Sequence, residues 1–278
     1  MNLYVVTDRN EKVALVGNPY FDITDIDGFT EGVVSISSSV LADTDGDVVN
    51  AQAVNARDVT ITFRFKDVMP VEDAKRYLLR YFKLKKEVVL ELDYRGRTSR
   101  LTGVVQGISI PRFTLGVSAQ VDIHCSSPFW EDVAHLVQMI SDVVAMHHWP
   151  IHPTELEPII MGQLTDVYQA TVVNDGDTAV GMVITITADR EVSDPVIMLD
   201  MTDLFFKVEV DMEAGDELVI DTRKGSKSVR LNGESIMNRV VAGSTWLQLE
   251  IGSNTLVCTN SLDGRGMTYN VTANERYL

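Results

Sequence analysis

Cysteine is scarce in this chain, long apolar runs are missing, and basic residues are outnumbered; each shortage removes a class of protein. The 278 residues include two cysteines, Cys125 and Cys258. Each stands alone in an apolar alternating segment, which reads as a buried free thiol rather than half of a disulfide and suits folding in a reducing cytoplasm. No apolar run approaches the roughly 18 residues that suggest a membrane span. The start, Met1-Asn2-Leu3-Tyr4-Val5-Val6, lacks the basic segment and long apolar stretch of a secretory signal. Lys and Arg total 24 against 40 Asp and Glu, a net charge of −16. The imbalance is uneven: residues 1–130 hold 15 basic and 17 acidic side chains, residues 131–278 hold 9 and 23. Neither half offers a basic surface for a phosphate backbone, which argues against nucleic-acid binding. The acidic half is repelled by anionic membranes and polyanionic glycans. Its acids are scattered rather than blocked, so they read as a solvated face.

Chemistry-bearing motifs are equally sparse. No Gly-x-Ser-x-Gly elbow, Walker loop or dinucleotide fingerprint occurs. His135, His147, His148 and His152 cluster in sequence, but without a recognised zinc spacing or a nearby cysteine they read as linker histidines. Asp43-Thr44-Asp45-Gly46-Asp47 has oxygens at alternate positions, yet a calcium loop of the EF-hand kind needs Gly sixth and Glu twelfth; Gly46 is fourth and Val54 twelfth. Carboxylates are abundant, but nothing singles out a facing pair. Cys125 and His124 are adjacent in an alternating strand and face opposite sides, so they form no dyad. The sequence therefore predicts no catalytic residue, no cofactor and no metal.

What the chain does have is alternation. At 45% hydrophobic and 23% charged it is ordinary globular protein rather than disordered, and its length suggests two domains. Val59, Ile61, Phe63 and Phe65 interleave with polar residues, the mark of a half-buried strand. From Pro70 to Phe82 the apolar residues Val71, Ala74, Leu78, Tyr81 and Phe82 recur at three- and four-residue steps, predicting a helix over about 70–86. Pro70 suits its first position, Glu72 and Asp73 its positive end, Lys83, Lys85 and Lys86 its negative end. Strands resume with Val88, Leu90, Leu92 and Tyr94, a turn at Arg95-Gly96-Arg97, and Val117 to Cys125, closed by Ser126-Ser127-Pro128. Residues 131–165 have helical spacing but β-branched composition, and Pro150, Pro153 and Pro158 mark them as a linker. Beyond Val167, short strands alternate with turn signals such as Asn232-Gly233. The inward sets include Val180, Met182, Ile184 and Ile186; Leu204, Phe206, Val208 and Val210; Leu247, Leu249 and Ile251; and Met267, Tyr269 and Val271. Strands at this spacing with no helix between them imply an antiparallel sandwich. The expected fold is mainly β: a β-rich domain with one helix over 1–130, a linker over 131–165, and a β-sandwich over 166–278.

An ordered series in the second half carries a resemblance. It runs Asn174-Asp175-Gly176-Asp177, Gly181-Met182-Val183-Ile184-Thr185-Ile186, Ser193-Asp194-Pro195-Val196-Ile197, Gly215-Asp216-Glu217-Leu218-Val219-Ile220, Val229-Arg230-Leu231-Asn232-Gly233, Ser244-Thr245-Trp246-Leu247-Gln248-Leu249 and Gly252-Ser253-Asn254. Tyr20, Gly28, Asp45-Gly46, Arg57-Asp58-Val59-Thr60-Ile61 and Ser127-Pro128-Phe129 add to it in the first half. Together they resemble the siphophage distal tail proteins. Two departures stand out: Met146-His147-His148-Trp149-Pro150-Ile151-His152-Pro153 stands where the family has an aromatic-rich linker ending in proline, and Asp194-Pro195 replaces an Asn-Pro.

The resemblance implies a structural virion protein at the tail tip. It implies a ring, usually of six copies, built by the first domain and joining the tail tube protein above to the tail-tip protein below. The second domain would be a galectin-like sandwich outside the ring, able to carry receptor-binding parts. The alternative is a carbohydrate-binding module for the host surface; a glycan hydrolase is the third reading. Trp246 is the one candidate contact residue. It shares a face with Gln248 and Glu250, where it could stack on a sugar or pack against a sheet or partner, and packing is the expectation.

Overall fold

The computed structural model describes the chain except residues 41–44, 69, 112–117, 141–142, 146–161, 165–168, 201 and 263–265; over 134–140, 143–145 and 162–164 it describes the backbone alone. Two compact units result: Met1–Ala134 with Arg276–Leu278, and His135–Glu275. The segment 131–165 is divided between them, and its described part is strand rather than helix.

The first unit holds β1 (Asn2–Thr7), β2 (Lys12–Ala14), β3 (Phe21–Asp27), β4 (Val34–Val40), β5 (Asp47–Val54), β6 (Arg57–Phe65), α1 (Val71–Tyr81), β7 (Glu87–Tyr94), β8 (Arg97–Ser109), β9 (Ser118–Cys125) and the start of β10 (Trp130–Ile140). Its antiparallel sheet runs β2-β1-β7-β8-β9-β6-β3. The alternation of β6 buries Val59, Ile61, Phe63 and Phe65, and β9 answers with Ala119, Val121, Ile123 and Cys125 across the ladder. α1 lays Ala74 and Leu78 on this core, with Phe82 just past its end. The helix stops at Tyr81, short of the lysines expected to close it, and Pro70 caps it from extended backbone instead of occupying its first turn. Arg95 and Gly96 both have positive φ and join β7 to β8 as a two-residue hairpin. Tyr94, expected inward, is exposed at the end of β7, where the core gives way to this turn. Gly28 (φ +72°) is obligatory, because a Cβ there would lie 2.0 Å from the Asp58 carbonyl oxygen.

The second unit continues with β11 (Val143–Ala145), β12 (Gly162–Leu164), β13 (Gln169–Asn174), β14 (Val180–Ala188), β15 (Val192–Ser193), β16 (Val196–Leu199), β17 (Phe205–Lys207) and β18 (Asp211–Met212). It closes with β19 (Glu217–Asp221), β20 (Ser228–Leu231), β21 (Glu234–Ser235), β22 (Gln248–Leu249), β23 (Gly252–Thr259) and β24 (Met267–Tyr277). One antiparallel sheet runs β24-β14-β19-β20-β21 and another β13-β23-β16-β17. Their inner faces meet in one core that includes Met182, Ile184, Ile186, Leu218, Ile220, Leu256, Cys258, Tyr269 and Val271. This is the antiparallel sandwich that the alternation implies. Asn232 and Gly233, both at positive φ, turn β20 into β21. Two inward assignments fail. Ile251 is 62% exposed, because Gly252 (φ +91°) turns the chain between β22 and β23 and puts it at the tip. Leu204 is also exposed, one residue before β17 begins.

Candidate interaction surfaces

The most conspicuous surface is an arm. Among the described residues β4 and β5 pair only with each other, and from Val34 to Val40 and Asp47 to Ala53 every described residue is exposed. Val34, Ile36, Val40, Val48 and Val49 all face water. No charged side chain occurs from Val33 to Val40 or from Val48 to Val54. A lone two-stranded ribbon is marginal in water, and an uncharged open edge is a template for pairing. Sequence reading misses this arm, although Val34, Ile36 and Val40 alternate with Ser35, Ser37 and Ser39, and Val49, Ala51 and Ala53 with Asn50 and Gln52.

At the root of the arm, Asn55 N–H donates to the Val33 carbonyl at 2.8 Å, and Ser35 Oγ to Asn55 Oδ1 at 2.6 Å. Two residues on, Arg57 is 4% exposed. Its Nη1 donates to the Phe29 carbonyl at 2.9 Å, which also accepts from Trp130 Nε1 at 3.2 Å. The Phe29 and Trp130 rings meet edge-on at 4.9 Å. Arg57 Nε and Nη2 are buried and meet no acceptor among the described residues. Burial pushes the guanidinium pKa below its ordinary value.

Trp246 is half-buried, its ring 4.9 Å from Phe206, with Lys227 Nζ 5.3 Å from its centroid. It borders a groove of about 320 Å³ with Leu199, Asp200, Leu204, Gln248 and Glu250. The groove places Trp246 beside Gln248 and Glu250, the neighbours its alternation gives.

Other chemistry does not assemble. Among the described residues no three of His, Cys, Asp and Glu are placed to hold a metal. His135 is described in backbone only, and Asp43, His147, His148 and His152 lie outside the described residues. Asp45 and Asp47 are exposed at the arm tip. His124 sits on an outer face with Nδ1 2.6 Å from Asp58 Oδ1, while Cys125 is buried on the other. Burial raises the Cys125 thiol to about 11, against the pull of Arg57, and raises Cys258 further.

The protein is mainly β, and it has counterparts among known proteins. Residues 175–277 match the family described as "Siphovirus-type tail component, C-terminal domain". The Dit protein of phage SPP1, described as "a Paradigm of Hub Adsorption Apparatus in Gram-positive Infecting Phages", has the same fold: TM-score 0.69 over 99% of each chain, at 15% identity. A chain of the phage P2 baseplate in its activated conformation with Ca aligns over 98% of this chain and 97% of its own, at 8% identity and a TM-score of 0.49. No curated protein matches. Residues 175–277 thus carry the similarity to a siphovirus-type tail component, and the chain as a whole shares the fold of the SPP1 Dit protein.

Proposed function

We propose that this protein is the ring subunit of the distal tail, six copies of which join the tail tube protein to the tail-tip adsorption apparatus. The first unit closes the ring, and the acidic sandwich lies outside it. The observation that carries this reading is the arm, a ribbon uncharged over Val34–Val40 and Val48–Val54, with bare edges and exposed valines that nothing covers among the described residues of its own unit. A closed ring needs a head-to-tail interface, and a projecting ribbon supplies one side of it. On this reading the protein acts through contacts rather than catalysis, which the tail-component match of residues 175–277 supports.

The sandwich is assigned an outward role because residues 131–278 carry most of the negative charge, which opposes close packing against their own copies. Trp246 is assigned to packing on Phe206 rather than to sugar stacking, since Phe206 and Lys227 already lie against the ring.

Replacing residues 35–53 by an Asn-Gly turn tests the reading. The shortened chain should melt as the intact one does but fail to enter tails when supplied to a phage lacking the gene. Normal incorporation without the arm would overturn it.

A further inference from the structure

We propose that Arg57 is the seat for a carboxylate of a second copy of this chain, delivered by the acidic tip of that copy's arm. The inference rests on the ring reading above and names the contact that closes the ring.

The chemistry begins with the guanidinium edge. Arg80 grips Glu11 through Nε and Nη2 at 3.1 and 3.2 Å, and Arg223 grips Asp221 through the same two atoms at 2.9 and 2.7 Å. Arg100 turns this edge to Glu91 Oε2, both nitrogens at 3.0 Å. Nε–H and Nη2–H point the same way, and their spacing matches the two oxygens of a carboxylate. Arg57 alone among these four is nine-tenths buried, and the edge that the others use is the one that meets no acceptor. Its Nη1 is already satisfied by Phe29. Leaving two charged donors unpaired in a desolvated site is costly within one chain. The cost is removed if an anion arrives from another.

The position says which anion. Arg57 opens β6, two residues beyond Asn55 at the root of β5, and Phe29 belongs to the segment that leads into β4, so the chain enters and leaves the arm close to the guanidinium. The far end of the arm is acidic: Asp45 and Asp47 are exposed there, while the strands between are uncharged. Seven register pairs at about 3.3 Å each give a reach of roughly 23 Å. The first unit's 137 residues imply a radius of gyration of about 14 Å. An arm of that length can cross from one copy to the next. Tip of one copy to root of the next is a head-to-tail contact, the kind that repeats around a ring. Because Nε and Nη2 are enclosed in the single chain, the contact forms only with a shift of the segment at Phe29 as two copies meet.

Three variants test this in the full chain: Arg57→Met, Arg57→Lys, and Asp45→Asn with Asp47→Asn. Melting of the purified protein and incorporation into tails are read together. Arg57→Met should melt at or above the wild-type temperature, since an unpaired buried charge is gone, yet enter tails more than about tenfold less well. Arg57→Lys keeps the charge but loses the edge and should also assemble poorly. The arm-tip pair, at exposed positions, should leave melting unchanged and reduce incorporation to the same degree. If Arg57→Met lowers the melting temperature and assembly falls only in proportion, Arg57 is a structural group and the proposal fails. If Arg57→Met does not fold, the arm-tip variants decide alone: wild-type incorporation overturns the seat. A wild-type ring with unaffected variants sinks this inference and leaves the ring standing; tails without a ring sink both.

Discussion

The side-chain amide of Asn174 donates to the Leu249 carbonyl at 3.0 Å, tying the end of β13 to β22. The same Nδ2 donates to the Thr178 carbonyl at 3.0 Å, and Oδ1 accepts from the Gly176 N–H at 3.1 Å. Asn174 is fully buried, so one side chain satisfies three backbone groups that lack water. Asn174→Ala leaves them unpaired and should cost about 2–4 kcal/mol. Asn174→Asp should cost a similar amount, because a carboxylate cannot donate. Denaturant melts of the full chain check this; an Asn174→Asp variant as stable as wild type would show that the donated bonds contribute nothing.

Glu91 gives the fold an acid-sensitive point. Its carboxylate is buried, hydrogen-bonded by Lys12 and by Arg100 at 3.0 Å. The Lys12 hydrogen bond holds its pKa below the ordinary carboxylate value against the opposing effect of burial, with Arg100 adding to Lys12. A depressed folded pKa stabilises above the unfolded value and is lost as pH falls through the folded one. Glu91→Gln should therefore cost roughly 1–3 kcal/mol at pH 7, with the gap closing below about pH 4. Stability curves across pH 3–8 read the difference, and a gap that stays constant into acid would contradict the assignment.

The two thiols should be inert while the chain is folded. Cys125 and Cys258 are both fully buried, and Cys125 titrates at about 11 because of that burial. Iodoacetamide at pH 8 should label neither in native protein and both after denaturation. Native labelling of Cys125 at the rate of a free thiol would refute its placement.

Trp246→Ala should destabilise the second unit by about 2–4 kcal/mol, somewhat less than loss of a fully buried aromatic, through its contact with Phe206. Calorimetry reads the loss, and glycan-array binding should be absent before and after the change. Unchanged stability together with loss of measurable sugar binding would reverse the reading.

Much of the framework was legible because it is periodic. Val59, Ile61, Phe63 and Phe65 show a buried face, and Ala74 and Leu78 show a helical one, without any knowledge of the partner surface. The misses lie where periodicity meets an end. Tyr94, Leu204 and Ile251 continue an inward register past the last residue that the core covers. The arm was missed for a different reason: Val34, Ile36 and Val40 do alternate with Ser35, Ser37 and Ser39, but the run is short and serine-rich, and its apolar stripe is buried against nothing in its own unit among the described residues. Arg57 lay within a motif that carries the resemblance, but its burial depends on Phe29, 28 residues before it, and Phe29 in turn on Trp130, 101 residues further on. Spacing along a strand contains nothing of such contacts.

Direct imaging of the tail tip, in virions or in a reconstituted complex, tests the central claim. The account predicts one ring of this protein coaxial with the tail tube, each arm lying on the neighbouring copy, the first unit inward and the acidic sandwich outward. A single copy at the tip, or a ring closed by the sandwich with the arms free, would contradict it.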